Sequence, residues 1–170
     1  MRETEGGRGR PIGAALVVAI ALIIMPSSLA QATPAGTSSG SSSGPNVQIT
    51  VPLPAPAGSR ALSITCTGQI DYIHGSVHQP GTVNQVGRSW CSSPIVSIWI
   101  KISVYKVDSS GVHLMAQSPV LTDPLRVQGN AASAVSCGYW YGTIDIVWFW
   151  PWGYPPSGAT LKSDPAIFGC

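Results

Sequence analysis

Glutamate is absent from this sequence beyond Glu5. The acidic residues that follow are all aspartates: Asp71, Asp108, Asp123, Asp145 and Asp164. Most glycoside hydrolases need two carboxyl groups set across one bond. Only an Asp pair could serve here, and Asp71 and Asp145 alone lie outside evident turns. Charge of either sign is scarce, at 9% of residues against about 25% in average soluble proteins. No run of Lys or Arg follows Arg10. There is no basic stripe to hold phosphates, which excludes nucleic acid as a partner. The region after Pro45 carries no G-x-S-x-G nucleophile elbow and no apolar row with a helical period. The cysteines form no C-x-x-C pair, which argues against zinc. No cofactor is expected.

Glycine (19) and proline (15) are plentiful, which favours many turns and few long helices. The N-terminus stands apart. Met1–Gly13 carries Arg2, Arg8 and Arg10, and Ala14–Met25 is an unbroken apolar run ended by Pro26. Ala30-Gln31-Ala32 offers the small side chains that signal peptidase accepts. Residues 1–32 therefore read as a signal peptide cleaved after Ala32, with Ala30 the other position. The alternative is an uncleaved anchor, the only expected contact with a membrane. Ile12–Met25 has 14 residues, while spanning a bilayer takes about 20. Residues 33–45, TPAGTSSGSSSGP, have no charge and no large apolar side chain. They cannot bury enough surface to offset their ordering entropy and read as a flexible linker. The expected location is extracellular.

Residues 46–170 form the expected domain, with a net charge of about +1 and enough length for one core. It holds all four cysteines, Cys66, Cys91, Cys137 and Cys170. An even number in an exported chain suggests two disulfides, and four cysteines allow three connectivities. Pairing sequential neighbours gives Cys66–Cys91 and Cys137–Cys170. Each closes a loop of about 25 to 35 residues, worth roughly 3 to 4 kcal/mol in the chain-entropy model.

The domain reads as strands. In Pro94–Val107, Ile98, Ile100, Ile102 and Val104 fall on one face, and Trp99, Lys101, Ser103 and Tyr105 on the other. Asp108–Gly111 makes a turn, and Val112–Gln117 returns as a hairpin strand. Tyr139–Trp150 is a second long strand, stopped by Pro151. Weaker strand signals cover 46–52, 60–68, 70–74, 125–128, 131–137 and 165–168. Gly129-Asn130 reads as a turn pair between two of them. Seven or eight short strands imply an all-β fold: a two-sheet antiparallel β-sandwich of immunoglobulin-like, Greek-key type.

Two features invite a functional reading. Asp71, His74 and His78 lie within eight residues, a possible metal set. In extended chain, however, positions 74 and 78 stand about 13 Å apart, and a polar loop is the plainer reading. The second feature is Val147–Pro156, VWFWPWGYPP, with five aromatic rings in seven positions. Trp140 and Trp148 belong with the inward row and fill the core. Trp150, Trp152 and Tyr154 are the candidate ligand-binding residues, because aromatic faces stack on the apolar faces of sugar rings. Tyr139, Tyr141, Trp99 and Tyr105 could extend that surface.

The order of these motifs resembles the small exported two-disulfide proteins of high-GC Gram-positive (actinobacterial) bacteria. The likeness rests on Cys66, the Trp90-Cys91 pair before a long alternating strand, Cys137 followed by Gly-Tyr-Trp-Tyr-Gly-Thr, the Pro-Trp-Gly-Tyr-Pro-Pro turn and Cys170. It covers Cys66–Cys170 and implies no activity. The usual late turn reads Pro-Pro-Gly-Tyr, and Trp152 replaces its second proline. The function expected from all this is a monomeric, non-catalytic extracellular protein that binds a cell-wall glycan or a surface protein. The alternatives are a structural surface protein without a ligand, and a hydrolase with an unrecognised Ser or Asp centre.

Overall fold

A computed structural model describes the backbone of Gly40–Ser42 and residues 45–54 and 62–170. The segment read as a signal peptide, most of the segment read as a linker and the start of the expected 60–68 strand lie outside the described residues. Within them the fold is all-β, with no helix. The inward apolar row of each long strand is the physical cause. Ile98, Ile100, Ile102 and Val104 are buried on β6 (Ser97–Asp108), and Trp140, Ile144, Ile146 and Trp148 on β10 (Gly138–Phe149). Full burial of such side chains is worth about 1.5–3 kcal/mol each.

Two sheets result. The front sheet pairs β10 with β6 along their whole length, from Tyr139↔Val107 to Phe149↔Ser97. On the far side of β6 lie β7 (Gly111–Gln117) and β8 (Leu121–Asp123). On the far side of β10 lie β11 (Ser157–Lys162) and β12 (Ala166–Phe168). β1 (Gly40–Ser42) joins β11 as the one parallel pair among the described residues, so part of the segment read as linker forms a strand. The back sheet runs from β2 (Asn46–Pro52) to β3 (Ser63–Ile70) to β5 (Thr82–Cys91) to β9 (Arg126–Ala134). A two-residue β4 (His74–Gly75) lies beside β5. After the β1–β2 crossing, the chain crosses between sheets at β5–β6, β8–β9 and β9–β10, so β9 returns beside β5 and β10 beside β6. This is the Greek-key pairing of immunoglobulin-like sandwiches. The inner faces share one core, which includes Ile64, Ile70 and Val83 from the back sheet and Ile144 and Trp148 from the front.

Cys66 and Cys91 face each other across β3 and β5 and form a disulfide. Cys137 and Cys170 form the other and tie the final residue to the entry of β10. Both pairings match the expectation and suit an oxidising compartment. No helix among the described residues is long and apolar enough to cross a membrane.

Two differences from the sequence reading are instructive. Gly129-Asn130 is not a turn but the middle of β9. A Cβ on Gly129 would come within 2.2 Å of Leu121 Cδ1, so the glycine admits a close neighbour inside a strand. β5 gave no clear signal because its inward row is Val83, Gln85, Gly87, Ser89 and Cys91. Two polar side chains, Gln85 and Ser89, are fully buried there. Gln85 Nε2 donates to the carbonyls of Asp71 (2.7 Å) and Val86 (3.0 Å). Ser89 Oγ donates to Thr67 O (2.9 Å) and accepts from Trp148 Nε1 (3.0 Å). Internal partners replace the apolar row.

Candidate functional site

The aromatic run ends β10 and turns into β11. Strand alternation carries Trp148 and Trp150 inward, and Trp150 is only 5% exposed. Its indole N–H donates to Ser157 Oγ at 3.0 Å. That ring is part of the core and offers no stacking face, so it does not join a surface platform. Tyr154 is half-buried and packs against the same core. Trp152 alone of the three stands out, 60% exposed.

The backbone explains why. Trp152 has φ 58° and Gly153 φ 74°. Two successive positive φ values between Pro151 and Tyr154 make a type I′ turn, closed by a long bond from Tyr154 N–H to Pro151 O (3.5 Å). Such turns favour Asn, Asp or Gly at the first central position. A proline there could not adopt this φ, because its ring holds φ near −65°. Tryptophan accepts the geometry at a steric cost, and its ring is left in water.

The outer face of the front sheet carries more rings. Phe149, three residues before Trp152, contacts Trp99 at 4.6 Å between centroids. Trp99 is 44% exposed. Tyr105 and Tyr141 are register neighbours and stack at 5.1 Å and 16°. Lys162 Nζ lies 3.8 Å from the Tyr141 ring centre and closes that stack. Burial first, and the neighbouring Tyr105 second, push the Tyr141 phenol above its ordinary value. Tyr141 thus has a neighbour on its ring from Tyr105 and from Lys162, and both are internal contacts. Between the two aromatic ends lie Lys101 opposite Asp145, with Thr160 donating to Asp145 Oδ1 at 2.7 Å. Trp140, by contrast, is fully buried and donates to Ser136 O (3.0 Å).

A Ser/His/Asp trio does occur, at the β6–β7 turn. Ser110 Oγ donates to Asp108 Oδ1 (2.5 Å) and lies 2.9 Å from His113 Nε2. His113 Nε2 is also 3.2 Å from Asp108 Oδ1. A hydrolytic triad needs the imidazole between the other two, with acid and hydroxyl on different nitrogens. Here both approach the same nitrogen, and the carboxylate accepts the serine O–H hydrogen bond directly. The cluster is a turn lock. The Ser110 hydroxyl, then its backbone N–H, then Lys106, hold the Asp108 carboxyl far below the usual carboxylate range.

Asp71, His74 and His78 do not converge. Asp71 pairs with Arg88, and His74 Nδ1 lies 3.1 Å from Tyr72 O. Among the described residues no three His, Cys, Asp or Glu gather at metal-binding range. The sequence marked the aromatic run but not which ring would be free, since a positive φ at Trp152 leaves no trace in the residue pattern. Searches against family models, curated proteins and solved structures return no match.

Proposed function

We propose that this protein is an exported, non-catalytic binding module that holds glycan chains of a cell surface against Trp152. The resemblance to small exported proteins of high-GC Gram-positive bacteria belongs to this reading. The observation that carries it is the conformation of Trp152. A non-glycine residue in left-handed backbone costs roughly 1–2 kcal/mol, and a ring 60% exposed recovers little by burial. Strain that packing does not use is a motive for a functional role. The type I′ turn fixes the ring's base, so stacking on a sugar costs little further ordering. Trp99 on β6 and Phe149 at the end of β10 supply a second apolar contact on the front sheet, and Lys101, Asp145 and Thr160 offer hydrogen bonds to hydroxyls beyond it. Export is supported by the N-terminal apolar run and by the two disulfides.

The test is a tryptophan-emission titration with a neutral N-acetylglucosamine tetramer. The wild type is expected to show a saturable change that Trp152→Asn abolishes. Asn-Gly is the preferred type I′ pair. The variant's melting temperature is therefore expected to be unchanged, or raised by up to about 5 °C. Equal titrations for the two proteins would reject the reading and favour a surface protein without a ligand.

A further inference from the structure

The outer face of the back sheet carries a second feature, independent of the β10–β11 turn. A depression of about 470 Å³ is lined by Gln69, Arg88, Trp90, Ser92, Leu125 and Arg126. Its size falls in the usual range of small-ligand sites, about 300–1,000 Å³. Strand register builds it. Trp90 faces Thr67 on β3 and Arg126 on β9, and Arg88 faces Gln69 and Gln128. Arg88 and Arg126 are thus diagonal neighbours around one indole. Like charges at such positions repel, so folding alone gives no reason to pair them.

Only one of the two guanidinium groups is in an ion pair among the described residues. Arg88 Nη2 donates to Asp71. Its Nε is buried without a partner, an arrangement that costs desolvation and calls for an explanation. Arg126 makes no ion pair among the described residues. Its backbone N–H is spent on Asp123 Oδ1 (2.6 Å), which fixes the start of β9 and the base of the side chain. The Arg126 guanidinium is therefore left without an ion-pair partner among the described residues, beside a flat aromatic ring. Gln69 and Ser92 at the rim can bond hydroxyls.

We infer that this depression binds a sugar ring bearing a carboxylate, a hexuronic acid unit of an acidic polysaccharide. The ring's apolar face would lie on Trp90. The carboxylate would lie between Arg88 and Arg126 and accept from the guanidinium fork of Arg126, which matches its two oxygens, while Arg88, held by Asp71, adds its charge from the side. The wider surface lacks the basic stripe a nucleic acid needs.

The experiment is isothermal titration of the oxidised, full-length exported chain with tetragalacturonic acid, with cellotetraose as neutral control. Uridine monophosphate tests the nucleotide alternative. Tetragalacturonate is expected to bind and to weaken as salt is raised. Arg126→Gln should weaken it about tenfold or more, since a charge-assisted bond is lost. Arg126 is exposed, so this variant should fold. Trp152→Asn should leave the titration unchanged, which separates this site from the turn. The inference is overturned if the acidic tetramer does not bind, or if cellotetraose or the nucleotide binds as well. It is also overturned if Arg126→Gln matches the wild type.

Discussion

Tryptophan divides into two populations in this protein, and the division follows the indole N–H. Trp140, Trp148 and Trp150 are buried, and each donates to a defined oxygen, from Ser136, Ser89 and Ser157. A buried indole needs such a partner. Trp152 is exposed and sits in strained backbone. The core beneath is tight at single residues. A Cβ on Gly142 would meet the Cγ and Oε1 of Gln85 at 2.2 Å each. Gln85 cannot swing aside, because two carbonyls hold its amide. Gly142→Ala is therefore expected to destabilise the domain by about 1–3 kcal/mol, read as a lowered thermal midpoint. An unchanged midpoint would show that Gln85 has room the packing does not suggest.

Elements were legible in proportion to how well their inward rows stay apolar. β6 alternates from Ile98 to Val104, and β10 from Trp140 to Trp148 has only Gly142 between its large inward side chains, so both are readable from residues alone. β5 has the same geometry, but Gln85, Gly87 and Ser89 break its apolar row. Besides the adjacent carbonyl of Val86, the carbonyls of Asp71 and Thr67 and the indole of Trp148 satisfy that row, and these three are long-range partners. β11 was hidden for a related reason: Ser157–Lys162 is built mostly of small or polar residues and gains its place by pairing with β10. At the candidate site, the aromatic density was visible in sequence, while the selection of Trp152 depended on turn geometry. The β6–β7 hairpin carries its own prediction. The folded state holds Asp108 below its unfolded value, by the Ser110 hydroxyl first. Such a group adds stability that is fully present above the unfolded carboxylate value, about 3.9. That stability is lost as pH falls through the lower folded value. Denaturant midpoints should therefore decline below about pH 4, and Asp108→Asn should flatten part of that decline.

At the scale of the whole molecule, two twisted layers share one core and are stapled once within the back sheet and once at the C-terminus. That construction leaves both outer faces and the turn at the end of β10 free to carry rings and hydrogen-bonding groups without serving the interior. Rigidity of the frame is what allows a strained, exposed ring at Trp152 to persist. The most direct measurement is a set of two-dimensional NMR spectra of the six indole N–H groups during addition of the neutral N-acetylglucosamine tetramer. The account predicts that the Trp152 signal moves furthest, with Trp99 following, while Trp140, Trp148 and Trp150 stay in place. A silent Trp152 signal at saturating tetramer, or shifts confined to the buried indoles, would contradict it.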